Sequence, residues 1–207
     1  MPSPIGHAAA GLIVALAGEK KQQTFSWVFI AICIFLAASP DLDWLIPDFH
    51  RGPTHGIGFS ILVTLVASGV TERASGKANW RIALICGLAY SSHIFMDWLG
   101  EEPEVSAGVA ALWPFSGRMF IAGLNVFHST QRVDAFVSPQ FEHNLMTLAR
   151  EILILAPILL VLLWRRHKRA QTSEGAHRPW PRSGQFVHGC AGAGQSLRTR
   201  PESGRAG

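Results

Sequence analysis

Residues 39–55, SPDLDWLIPDFHRGPTH, place three aspartates, two histidines and an arginine between two strongly apolar runs. Asp41 and Asp43 stand where the first run ends, and His55 stands where the next begins. Pro40, Pro47, Gly52 and Pro53 stop the residues between from continuing as one helix. The stretch is therefore a polar connection between two apolar helices. Carboxylate oxygen and imidazole nitrogen together suit zinc, manganese or iron, so the next question is whether more of either lies elsewhere in the chain.

Working outward, residues 25–38 carry no charge and lead straight into Ser39-Pro40. Before them, residues 8–17 (AAAGLIVALA) form a shorter apolar run with His7 at its entrance, preceded by Pro2, Pro4 and Gly6 and ended by Gly18 and charged residues. Downstream, residues 56–70 open directly after His55 and close in a polar loop over 71–79. Residues 80–99 are apolar except for Arg81 at the start and Ser91, Ser92, His93 and Asp97 near the end. A fifth run, 145–164, ends in the basic cluster 165–169. Between these last two, residues 100–144 mix acids, turn formers and aromatics. Structureless loops of that length are uncommon, so a folded cap or a pair of short interfacial helices is expected.

The pattern predicts an all-α, multi-pass helical membrane protein with about five hydrophobic helices, spanning residues 1–169. Residues 170–207 are Gly/Ser/Pro/Arg-rich, cannot bury enough apolar surface to order themselves, and are expected to be a disordered basic tail. Most runs are nearer ~15 residues, or about 22 Å, than the ~20 of a comfortable span. A soluble helix of that length would show a charged stripe, and residues 25–38 and 152–164 show none.

Composition agrees. The chain is 48% hydrophobic and only 15% charged, unusually apolar for a soluble domain of 207 residues. Its net charge of +4 belongs to the tail: residues 1–164 hold nine Lys/Arg against twelve Asp/Glu, and residues 165–207 hold nine against two. The main body is thus a poor nucleic-acid binder, while a basic tail beside a membrane favours anionic lipid headgroups. Cys33, Cys86 and Cys190 show no metal-type spacing, and no disulfide framework is implied. The N-terminus has no Lys or Arg ahead of its apolar run, lacks the form of a secretory signal, and is expected to be retained.

Lys and Arg accumulate in cytoplasmic loops. Lys20/Lys21, Arg73/Lys77/Arg81 and the 165–169 cluster fall in alternate connections, as five successive spans require. This arrangement predicts that His7, the 39–55 connection and the end of the fourth run share one face, away from the cytoplasm. His93 and Asp97, four apart in a helical run, lie on one side of it about a turn apart and can share an ion. The expected metal ligands are therefore His7, Asp41, His55, His93 and Asp97, for a divalent metal such as zinc, with manganese or iron as alternatives. Of Asp41 and Asp43, one can ligate while the other orients a ligand or bridges a second ion. Asp43, His50 and Arg51 are the catalytic candidates: Asp43 or His50 to handle a proton, and Arg51, whose planar fork binds two oxygens, to hold a substrate anion. The other five histidines, at 128, 143, 167, 177 and 188, are not read as ligands. There is no Gly-rich phosphate loop, nucleophile elbow or paired-cysteine site.

The ordered set of His7 after a Pro-rich start, PDLD at 40–43, HRGPTH at 50–55, SHIFMD at 92–97 and LWPFS at 112–116 resembles a bacterial and archaeal family. That family is described as membrane-bound metal-dependent hydrolases, and also as LexA-binding and inner-membrane-associated. The resemblance covers roughly residues 1–165. It implies a multi-pass protein of the bacterial inner membrane, a hydrolase site, and a repressor protein as partner. More distantly, the order of histidines and aspartates is similar to that of zinc-dependent phospholipase C. A metal-dependent hydrolase of a phosphoester or lipid-linked ester is the expected function, with membrane lipids as surroundings or substrate. The alternatives are a non-enzymatic membrane scaffold or regulator linked to the DNA-damage response, and a metal transporter. A transporter would carry its ionisable groups at mid-membrane and usually an internal repeat, neither of which is visible.

Overall fold

The computed structural model describes residues 1–20, 24–45, 51–101, 108–131 and 137–176, without the side chains of Trp44 and residues 172–176. Five α-helices carry the fold: α1 (Pro4–Ala17), α2 (Trp27–Ala38), α3 (Ile57–Ser75), α4 (Trp80–Leu99) and α5 (Gln140–Ala176). Their starts follow from local chemistry. The Ser3 hydroxyl accepts from the Gly6 N–H, Ser26 from Phe29 and the Asn79 carbonyl from Ile82, while Pro4 occupies a first-turn position that needs no N–H. Gly76, in a left-handed conformation with φ of 73°, ends α3 and returns its N–H to the Glu72 carbonyl.

Three helices, α3, α4 and α5, are long and apolar enough to cross a membrane, whereas α1 is a shorter apolar helix. α2 has only 12 residues, but it passes directly into a 3-10 turn, Ser39–Leu45, that lengthens the rod. α1 and α4 form the centre, with α2 packed on both, α3 on α4 and α5 on α1. Lipid tails are as apolar as leucine, so membrane helices associate by close packing of small residues. A Cβ on Gly11 would lie 2.6 Å from the Cys33 carbonyl oxygen, and one on Gly87 would collide with Thr64 of α3. Large apolar side chains such as Trp27, Val28 and Leu153 point outward, as a lipid-facing surface requires.

α4 matches the fourth apolar run, but other boundaries differ. α3 continues through Ser75, so the expected polar loop after residue 70 is mostly helix. α5 runs on to Ala176, into the start of the stretch read as tail, and residues 177–207 lie outside the described part. The pair of short interfacial helices is corrected: among the described residues, 108–131 are extended or turned, with isolated bridges joining Gly100 to Phe127 and Val109 to Phe120. The physical reason lies at the start of α3. Gly56 offers no side-chain cap, and the N–H groups of Ile57 and Gly58 donate instead to the carbonyls of Ala111 (2.9 Å) and Trp113 (2.8 Å). The LWPFS segment must stay non-helical to present those oxygens.

The two ends of the bundle differ in chemistry. At one, Arg166 pairs with the buried Glu19, donates to the Phe25 carbonyl at 3.0 Å and stacks over Trp27, while Arg169 and Arg81 donate to the carbonyls of Glu19 and Gly18. The histidines and aspartates gather at the other.

Candidate metal centre

His7 lies in the first turn of α1, Asp41 and Asp43 on the 3-10 turn after α2, His55 at the end of a second short turn (Pro53–His55), and His93 and Asp97 in the last turns of α4. All five expected ligands meet. His7, His55 and His93 are fully buried, Asp97 is 7% exposed, and the Asp41 side chain is 12% exposed.

At the middle, His55 Nε2 and His93 Nε2 are 3.1 Å apart, and Asp97 Oδ2 is 3.5 Å from the first and 3.3 Å from the second. Second contacts fix which nitrogens carry protons. His93 Nδ1 is 2.8 Å from the Ala37 carbonyl, which can only accept, so Nδ1 donates and Nε2 presents a lone pair. His55 Nδ1 is 3.2 Å from Asp43 Oδ2, which leaves its Nε2 in the same state. In neutral rings with these Nδ1 donors, two lone pairs and a carboxylate oxygen face one another. A zinc ion with bonds of about 2.0–2.1 Å sets its tetrahedral ligands about 3.3–3.4 Å apart, and the observed triangle is close to one face of that tetrahedron. Neither oxygen of Asp97 makes a hydrogen bond among the described residues, nor does either ring nitrogen of His7. With the imidazoles neutral, the Asp97 carboxylate brings negative charge into a buried place, which is costly without a cation. On donor type, spacing and charge the residues fit a divalent metal.

Asp41 and Asp43 face different ways because a 3-10 turn rotates about 120° per residue. Asp41 Oδ1 approaches His93 Nε2 at 3.8 Å. Asp43 sits behind His55, where it also accepts from the Thr54 hydroxyl and, at 3.2 Å, from the Arg51 N–H. Arg51 itself has φ of 63°, an uncommon conformation for a residue with a side chain. Tyr90 of α4 donates to the Thr54 carbonyl at 2.6 Å and so pins this turn to the helix carrying His93. His50 lies outside the described residues. His128 and His143 stand apart from the cluster, bonded to Glu101 and the Ser129 carbonyl.

Sequence reasoning missed Glu151. This α5 residue is 1% exposed, and its carboxylate accepts from the Ser3 N–H (2.6 Å) and the Ser3 hydroxyl, fastening the turn that carries His7. The signal was present, since an acid inside an apolar span rarely lacks a partner. Its partner, 148 residues away, could not be read.

An apolar cavity of about 400 Å³ opens between the start of α3, the end of α4 and the 108–120 segment, lined by Ile57, Ile94, Phe95, Trp98, Leu112 and Phe120 among others. It lies against the side of α4 turned away from His93 and Asp97.

The family model described as YdjM inner membrane protein matches residues 1–172. The chain is also similar to the inner membrane protein YbcI of Escherichia coli (strain K12), 26% identical over 178 residues that cover 81% of this chain and all of that protein. No solved structure matches.

Proposed function

The chain belongs to the YdjM inner membrane protein family, and from that premise we propose that it is a metal-dependent hydrolase of the inner membrane, acting on a phosphoester or lipid-linked ester. The observation that carries this reading is the triangle of His55 Nε2, His93 Nε2 and Asp97 Oδ2, with edges of 3.1–3.5 Å. A divalent ion held there supplies Lewis acidity, which acidifies water and polarises an ester oxygen. Asp43 orients His55 through Nδ1 and the Ala37 carbonyl orients His93, so both imidazoles stand ready before substrate arrives. Arg51, on the same turn as Asp43's partners, is the residue suited to gripping a substrate anion, and His50 is the remaining candidate for moving a proton. Because the basic residues collect at the opposite end, the site faces away from the cytoplasm.

Full-length protein in detergent, screened against phosphomonoesters, phosphodiesters and acyl esters with added zinc or manganese, tests the proposal. The expected result is turnover of one class, with turnover and stoichiometric metal both lost in His93→Ala and Asp97→Ala. Unchanged metal in both variants would overturn it. The complete burial of the three histidines favours one second reading, a structural ion joining α1, α4 and the intervening turn in a non-enzymatic scaffold, whose basic end would meet the repressor partner. In that case chelation lowers the unfolding temperature while no ester class is turned over.

A further inference from the structure

The rings of His7 and His93 are stacked, with centroids 3.8 Å apart and planes inclined by only 21°. An imidazole binds an ion near its own plane, along the lone pair of the ligating nitrogen. Stacked planes inclined by only 21° converge slowly, whereas an ion at a bond length of about 2.1 Å lies about 3 Å from the ring centre. One ion cannot therefore lie in both planes. His7 and His93 must serve two positions, separated by roughly the stacking distance, and ions in two-metal sites are about 3.5–4 Å apart.

Asp97 has the matching form. Its Oδ2 faces His55 and His93, and its Oδ1 faces His7 Nε2 at 3.4 Å. A carboxylate that offers one oxygen to each of two imidazole groups is placed to bridge. Asp41 adds to the second position, since its carboxylate has a ligand atom within 4.8 Å of one on His7. His7 is fully buried, and neither of its nitrogens makes a hydrogen bond at normal distance among the described residues; its one charged neighbour is the Asp97 carboxylate at 3.4 Å.

We propose that the centre is dinuclear: one divalent ion on His55, His93 and Asp97 Oδ2, a second on His7, Asp41 and Asp97 Oδ1, with Asp97 as the bridge. This rests on reading the cluster as a metal site, and it adds the number of ions and the role of α1. Such a pair favours a substrate whose charged group spans both ions, which points to phosphoesters over acyl esters.

The test uses full-length protein in lipid nanodiscs, stripped with chelator, reloaded with Mn(II), and read by metal analysis and electron paramagnetic resonance. Two ions per chain and an exchange-coupled spectrum are expected in the unaltered protein. His7→Ala and Asp41→Asn are each expected to hold one ion with an isolated-ion spectrum. One ion per chain with an isolated-ion spectrum in the unaltered protein would overturn the dinuclear centre and leave the metal site standing, whereas no bound ion would remove both. The unaltered protein decides the question even if a variant fails to fold.

Discussion

Asp43 reaches the cluster through His55 Nδ1, which makes it a positioning residue whose effect can be separated from ligation. Replacing it by Asn keeps the shape but lets His55 adopt either tautomer. Asp43→Asn is expected to weaken metal binding by about 10–100-fold with little change in fold, measured by competition with a chromophoric chelator. A second residue-scale expectation concerns acid. The His128 hydrogen bond at 2.7 Å holds the Glu101 carboxyl below its usual range. A depressed carboxyl contributes stability that is present above its unfolded pKa and is lost as pH falls through the lower folded value. His128→Gln should therefore flatten the acid-side fall in unfolding temperature, by a small amount because both side chains are more than a third exposed. His93 and Asp97 were legible at this scale because their spacing is fixed by a helix. That one aspartate orients a ligand was legible too, but that it is Asp43 and that it serves His55 was not, because the 3-10 turn decides which way each aspartate faces.

At the scale of elements, Gly11 sets how near α1 comes to α2, and so how His7 meets the turn that carries Asp41. A larger residue must push the helices apart, since its Cβ would also lie 2.7 Å from that of Ala37. Gly11→Leu is expected to destabilise the protein by about 1–3 kcal/mol and to reduce metal binding with it. Equal unfolding temperatures with and without the substitution would contradict that packing. Apolar runs located all five helices, because charge-free stretches in this chain have no other use. Their ends were less legible. α3 runs past its apolar stretch because nothing breaks it before Gly76, and the 108–131 segment stays extended because its carbonyls cap α3, a tertiary demand that composition does not express.

Across the whole molecule, ligands from residues 7 to 97 converge at one end, and Arg81, Arg166 and Arg169 close the other. The clustering was legible because each of those residues sits at the same end of its span. The proposed orientation rests on charge, and reporter fusions test it: enzyme fused after residue 48 is expected to behave as non-cytoplasmic, and fused after residue 169 as cytoplasmic. The opposite pattern would invert the proposed face while leaving the cluster intact.

The bond between Glu151 and Ser3 links the last helix to the third residue of the chain. During synthesis α1 enters the membrane first, yet the Glu151 clasp on the turn bearing His7 forms only once α5 has been made and inserted. The site is thus completed by the final span, so a chain truncated before α5 would hold every ligand and still lack the clasp that aligns the first of them.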